Sequence, residues 1–287
     1  VTIKRLLPPK EITSAPPGQI STFFHHHLRQ TDIIDVKAPA GHFVLDTRQH
    51  HRPVVLIGGG IGITPVLSIL NSIAESGSSR EAWFFYGVRN GREHIMKNHL
   101  QNLAKTHANI HLHVCYSQPD SNDVQERDYD HRERISLELL KRLLPSSNYD
   151  FFVCGPPSMM DSMTEGLCDW GVPMDRIRAE AFGAATVKKV FHPEAQQDFE
   201  DVEAVSVTFA RSEKICSWNQ SNVSILELAE QNGVSLEYSC RAGNCGSCLV
   251  AIRSGEVRYL NEPGVPIETG SCLACMAVPH TKLVIDA

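Results

Sequence analysis

Cys240, Cys245 and Cys248 stand in the run CRAGNCGSC, and Cys275 follows further along the chain. The spacing C-x4-C-x2-C with a distant fourth cysteine suits thiolates wrapped around a two-iron two-sulfur cluster, a carrier of single electrons. Such a loop must fold tightly. Gly243 and Gly246 permit backbone conformations closed to other residues, so amide N–H groups can turn toward sulfurs that carry negative charge. A structural zinc site is the competing chemistry: Cys245 and Cys248 make one CxxC pair, Cys272 and Cys275 another. Zinc would use both pairs and leave Cys240 idle, whereas the cluster uses Cys240 and leaves one of the later pair over.

A second constellation is VVLIGGGIGITPVLSIL, from Val54 to Leu70. Val54 to Ile57 is a short apolar run suited to a buried parallel strand, and Gly58, Gly59, Gly60 and Gly62 let the backbone approach a bound anion. Thr64 can cap the following helix, and Pro65 suits its first turn. Free N–H groups and the helix dipole at such a start favour a pyrophosphate. Two further strands end in comparable turns: Ala82 to Tyr86 leads into Gly87-Val-Arg-Asn90, and Asp150 to Cys154 leads into Gly155-Pro156-Pro157 and a helix through Trp170. Repeated strand, turn and helix predict a doubly wound parallel sheet with its ligand beyond the strand C-termini.

The order GGGIGITP, YGVRN, CGPPSMM resembles the pyridine-nucleotide domain of the ferredoxin-NADP reductase family over most of 54–183, and CRAGNCGSC resembles the plant-type ferredoxin domain. The first resemblance implies that Gly59, Gly60, Ile61, Gly62, Ile63, Thr64 and Pro65 face the phosphates and nicotinamide of NADH or NADPH. It places Cys154, Gly155 and Pro156 near the nicotinamide ring and Phe182 near a flavin, with Thr64 and Cys154 as the catalytic candidates. The second implies Cys275, within LACMAVP, as the fourth cluster ligand beside Cys240, Cys245 and Cys248, and Cys272 as a buried bystander.

A nicotinamide delivers two electrons as hydride and the cluster takes one at a time, so a flavin, FAD or FMN, is implied between them. Gly18-Gln-Ile-Ser21 and Ala38-Pro-Ala-Gly-His-Phe43 resemble the later half of the same family's flavin-binding barrel, with Gly18, Ile20, Ser21 and Thr22 on the flavin phosphate. The family's Arg-x-Tyr-Ser/Thr motif has no counterpart. The chain opens on Val1, and Val1 to Arg5 resembles the strand that follows that motif, so an N-terminally truncated sequence is expected.

The expected organisation is a partial antiparallel flavin-binding barrel over 1–46, an NAD(P)-binding domain over 47–183, a polar linker over 184–201 and a β-grasp ferredoxin domain over 202–287. In the last, Val205 to Ala210, Leu249 to Ile252, Val257 to Leu260 and Leu283 to Ile285 read as strands. Ser224-Ile-Leu-Glu227 reads as a capping box, and Gly233 as the stop of its helix. Of the basic residues after the second strand only Arg89 stands out as a coenzyme contact, which favours NADH. Length suits several cores, and a net charge of −6 argues against nonspecific nucleic-acid binding.

No run suits a membrane span, and nine cysteines without secretory spacing point to a reducing cytoplasm. His25-His26-His27 reads as a solvated or barrel-edge stretch, and Asp120 to Arg134 as a solvated charged loop. No constellation suits hydrolysis. The domain order resembles reductases of the phthalate dioxygenase and vanillate demethylase type, which implies electron transfer from NAD(P)H through flavin and cluster to a separate acceptor such as an oxygenase component. The alternative is an internal electron relay in a larger fusion protein whose catalytic domain lies upstream.

Overall fold

A computed structural model describes residues 2–8, 16–36, 41, 43–46, 52–182, 205–219, 224–259 and 263–287. The segment Ala38 to Ala40, His42 and the expected linker 184–201 lie outside the described residues.

The larger unit is a five-stranded, wholly parallel sheet of β1 (Val54–Gly59), β2 (Ala82–Val88), β3 (Ile110–Tyr116), β4 (Asp150–Cys154) and β5 (Ile177–Glu180), in the order β3-β2-β1-β4-β5. Each strand of β1 and β4 is buried throughout, as a strand covered on both faces must be. Helices α2 (Ile63–Glu75) and α3 (Lys97–Thr106) cover one face. On α2 the apolar residues Ile63, Val66, Leu67, Leu70 and Ile73 recur at helical spacing, so one stripe seats on the sheet. Helices α4 (Leu137–Leu143) and α5 (Pro157–Asp169) cover the other face. Strand order reverses between β1 and β4, which opens a crevice at their C-terminal ends.

The opposite, N-terminal edge of the sheet is clamped by charge. Arg80 donates from its Nη2 to Asp150 at 3.1 Å and from its Nε to the Arg52 carbonyl at 2.6 Å, while Arg52 reaches the other Asp150 oxygen at 3.1 Å. Arg80 and Asp150 are both buried. The three residues lie just before β1, just before β2 and at the start of β4, so one carboxylate ties together the entries of three strands.

The second unit is a mixed sheet of β6 (Val205–Phe209), β7 (Lys214–Trp218), β8 (Leu249–Ser254), β10 (Ser271–Leu273) and β12 (Leu283–Ile285), in the order β10-β8-β12-β6-β7. β6 and β12 run parallel, and β9 (Val257–Tyr259) pairs separately with β11 (Ala277–Pro279). Helix α6 (Ile225–Gln231) packs on this core through Ile225, Leu226, Leu228 and Ala229. Ser224 accepts a hydrogen bond from the Glu227 N–H at 3.2 Å, as a capping serine does. The mixed sheet on one helix follows the sequence expectation; β7, β10 and β11 add to it.

Among the described residues of 2–46 there is one helix, α1 (Gln19–His26), and no strand. His25 to His27 accordingly sit at the end of α1, with the His25 ring 2.9 Å from the Ile3 carbonyl. The expected Thr64 cap is corrected: α2 starts at Ile63 with Gly62 as its cap, two residues earlier than a Thr64 cap requires. Finally, the charged stretch from Asp120 to Arg134 is not simply solvated: Asp123, Asp128 and Asp130 accept from the N–H groups of Gly91, Val124 and Val114, and Asp128 is buried.

Candidate functional site

The loop between α6 and β8 brings the first three cysteines together. Arg241, Gly243 and Gly246 have φ of +54°, +72° and +73°, which turns successive peptides inward. The N–H of Ala242 points to Cys240 Sγ and that of Cys240 to Cys245 Sγ, each at 3.4 Å. At Gly243 a side chain is excluded as well, since a Cβ would stand 1.7 Å from Met276 Sδ. Arg241 keeps its unusual φ between two partners, pairing with Glu230 of α6 and stacking 4.0 Å from the Tyr238 ring.

Cys275 arrives from the turn between β10 and β11, its Sγ 3.2 Å from that of Cys248. The Cys275 hydrogen bond holds the Cys248 thiol down at about 7 and raises its own in return. Burial pushes Cys245 up, but hydrogen bonds from Ser247 and from the Cys240 N–H outweigh this and bring it below the ordinary thiol value. The four sulfurs therefore form two couples, Cys240 with Cys245 and Cys248 with Cys275.

Two couples suit two irons. One zinc would need four sulfurs about 2.3 Å from a single centre. Among the described residues no three cysteine, histidine or carboxylate groups converge on one ion position. Cys272 is fully buried in β10, where it pairs with Val250, and burial pushes its thiol up to about 12. The donor set fits a [2Fe–2S] centre, and Cys272 is buried, as expected of it.

The cluster loop also abuts the larger unit. Ala242 is buried within the apolar cluster that contains α4, α5 and the adjoining sheet face, and Cys240 packs against the same cluster. A Cβ on Gly41 would lie 3.7 Å from Cys245 Cα.

At the β1–β4 crevice the glycine turn and the β4 turn touch. A Cβ on Gly62 would stand 2.2 Å from the Cys154 carbonyl oxygen, and one on Gly59 would lie 2.7 Å from Pro156 and 2.9 Å from Met159 Sδ. Gly59, Gly62, Cys154, Gly155 and Pro156 are thus brought together, and Met159 joins them unanticipated. Gly59 and Gly62 serve loop-to-loop packing; a Cβ on Gly60 would meet nothing within 4 Å, so at Gly60 the backbone faces open space. That open backbone at a helix start fits a pyrophosphate.

Thr64 donates its hydroxyl to the Ile61 carbonyl at 3.1 Å and lines, with Ile63, Leu67, Asn71, Ile95 and Met96, a cavity of about 910 Å³ along α2. Cys154 does not line this cavity. It is buried at the end of β4, its thiol pushed up to about 12 by burial and then by Glu180, so it stays protonated at neutral pH. Phe182 follows β5 with its ring partly exposed.

The flavin-phosphate candidates are divided. Gly18 caps α1 without a side-chain bond, so the first N–H groups of the helix are available. Ser21 is already used, accepting from the Leu6 N–H at 3.1 Å and donating to the Gly18 carbonyl at 3.0 Å. Ile20 is exposed. The buried Thr22 hydroxyl has no hydrogen-bond partner among the described residues, as a group that meets a ligand would not.

Arg89 stands at the end of β2, paired with Glu93. Its neighbours Arg92, Glu93, Asp120 and Asp123 were not legible as site residues, because only the β3 turn folding over the end of β2 assembles them: Ser117 and Gln118 donate to the carbonyls of Val88 and Arg89 at 3.0 and 2.8 Å.

The oxidoreductase NAD-binding domain model matches residues 56–165, and the 2Fe-2S iron-sulfur cluster binding domain model matches residues 207–280. The chain thus joins a segment similar to an NAD-binding oxidoreductase domain to a C-terminal segment similar to a 2Fe-2S domain. A flavohemoprotein of Bacillus cereus is 36% identical over 171 residues, which are 60% of this chain and 42% of that protein. The chain therefore spans less than half the length of that curated relative. The flavohem-like FAD/NAD binding domain of nitric oxide dioxygenase from Vibrio cholerae is 30% identical with a TM-score of 0.50, over 58% of this chain and 65% of that one. An intact type IV self-sufficient cytochrome P450 monooxygenase shares the fold at a TM-score of 0.60 and 20% identity, over 93% of this chain and 31% of that one. No described helix is long and apolar enough to cross a membrane.

Proposed function

We propose that the chain is an electron-transfer reductase that draws on NAD(P)H and passes electrons, by way of a flavin and a [2Fe–2S] centre, to a protein acceptor such as an oxygenase component. The observation that carries this reading is the presence, in one chain, of two thiol couples suited to two irons and an open glycine turn at the switch point of a parallel sheet. When bound, the flavin supplies the exchange between hydride pairs and single electrons. The chain's own residues bind and orient: the turn around Gly60 receives the pyrophosphate, Cys154, Gly155, Pro156 and Phe182 wall the nicotinamide, and Gly18 and Thr22 contribute to flavin binding. Thr64 acts as a positioning residue, because its hydroxyl ties the helix start to the turn. Cys240, Cys245, Cys248 and Cys275 hold the irons. Ala242, seated among the apolar residues of the α4–α5 face, holds their loop against the larger unit. The proposed divisions remain 1–46, 47–183, 184–201 and 202–287, and the free thiols suit a reducing cytoplasm.

A second reading, an internal relay within a longer fusion, is favoured by the self-sufficient P450 monooxygenase, of which this fold occupies 31%. Whether a catalytic domain is encoded in the same polypeptide separates the two.

The test is iron and acid-labile sulfide analysis after anaerobic isolation, followed by NADH addition with FAD or FMN present. Equal iron and sulfide that survive Cys272→Ser and vanish in Cys275→Ser, with NADH bleaching the visible spectrum, are expected. Zinc without iron or sulfide would overturn the reading.

A further inference from the structure

The end of β2 carries two guanidinium groups, and the structure shows what they face. Arg89 is ion-paired with Glu93 one helical turn away. Arg92 is held in a two-pronged pair by Asp120, at 2.8 and 3.0 Å. Asp123 lies beneath the same turn, accepting from the N–H of Gly91 at 3.1 Å and from that of Asp120 at 2.7 Å. A Cβ on Gly91 would stand 2.4 Å from Asp123, so carboxylate and turn are in close contact. Three carboxylates thus surround two cations at the position where a doubly wound nucleotide site meets the adenosine ribose. In such sites an acid accepts from the ribose 2'-hydroxyl, and an arginine accommodates a 2'-phosphate.

We infer that Glu93 and Asp120, by occupying Arg89 and Arg92, set the coenzyme selectivity of the chain for a free 2'-hydroxyl over a 2'-phosphate, that is for NADH over NADPH. This rests on the reading of the β1–β4 crevice as the dinucleotide site.

The ion pairs themselves do not decide the matter, since exposed pairs of this kind contribute only about 0–1 kcal/mol and Arg89 and Arg92 are well exposed. The decisive term is the carboxylate charge that stays in place. A phosphate dianion beside a neutralised guanidinium gains nothing on balance, because attraction to the cation is cancelled by repulsion from its partner. A ribose diol has no charge to repel and finds acceptor oxygens on Glu93. The partner of Arg92 lies 28 residues away in the sequence, so its neutralisation arises only once the chain has folded.

The experiment is calorimetric titration of the full chain with 5'-AMP and with adenosine 2',5'-bisphosphate, which carry the discriminating group and need neither flavin nor cluster. The native chain is expected to bind 5'-AMP at least roughly tenfold more tightly, the scale of one hydrogen bond to a charged group. Glu93→Gln should shift the ratio toward the bisphosphate by roughly tenfold, and Arg89→Ala added to Glu93→Gln should abolish that shift. Equal or tighter bisphosphate binding by the native chain, or a ratio that Glu93→Gln leaves unmoved, overturns the inference while the nucleotide site stands. Binding of neither nucleotide removes the site and the inference with it.

Discussion

Replacing Gly62 by alanine tests the packing that closes the nucleotide crevice. The backbone at Gly62, with φ −62° and ψ −6°, is one that alanine adopts freely. On that ground alone the change would stabilise by about 0.4–1 kcal/mol, through the unfolded chain. Packing opposes it. The new methyl carbon would lie 2.2, 2.5 and 2.7 Å from Cys154 O, Cys154 C and Gly155 N. Comfortable contacts between non-bonded heavy atoms lie near ~3.5 Å, so the two turns must part by about 1 Å. All three neighbours are backbone, and no rotamer change relieves them. Overpacking of this kind costs about 1–3 kcal/mol, with the upper end suited to backbone neighbours, so the net expectation is a loss of about 2 kcal/mol.

Chemical denaturation read by tryptophan fluorescence measures it. The chain has three tryptophans, so a Trp218→Phe background leaves Trp83 and Trp170 to report on the parallel-sheet unit. Gly60→Ala is the control: its Cβ meets nothing within 4 Å, and its φ of +55° costs about 1–2 kcal/mol of backbone strain only. Gly62→Ala should weaken nucleotide binding as well as stability, because the turn that receives the pyrophosphate is displaced. A Gly62→Ala protein as stable as the native chain and equally able to bind 5'-AMP would refute the packing argument.

Asp150→Ala should cost about 3–5 kcal/mol in the same assay, since it leaves the buried Arg80 guanidinium without its carboxylate; a loss below about 1 kcal/mol would show that Arg80 escapes to water. Acid should destabilise the larger unit. Burial, then Lys97, brings His94 down to about 4, and burial, then His131, does the same for His113. Their ordinary value lies near 6.5, so between about pH 6.5 and 4 the unfolded chain holds more protons than the folded one. Stability is therefore full above that window and falls as pH drops through it; His94→Gln with His113→Gln should flatten the slope in denaturation midpoints between pH 7 and 4.5, and an unchanged slope would contradict the assignment.

The cysteine spacing, the glycine-rich turn and the apolar strand runs were legible in the chain as written, because each depends on residues close in sequence. Local periodicity determined β1, β2, β4, α2 and the Ser224 cap, and it determined that a cluster loop and a phosphate turn share one polypeptide. The resemblance had already singled out Cys275 over Cys272; folding decided that Cys275 comes beside Cys248, 27 residues away, while the strand register withdraws Cys272. It also decided that Gly62 serves a neighbouring turn while Gly60 faces open space, and that Arg89 and Arg92 meet carboxylates at all. Pattern reads the geometry of one element, whereas charge cancellation and backbone approach arise between elements and exist only once the sheet has brought distant turns to the same edge.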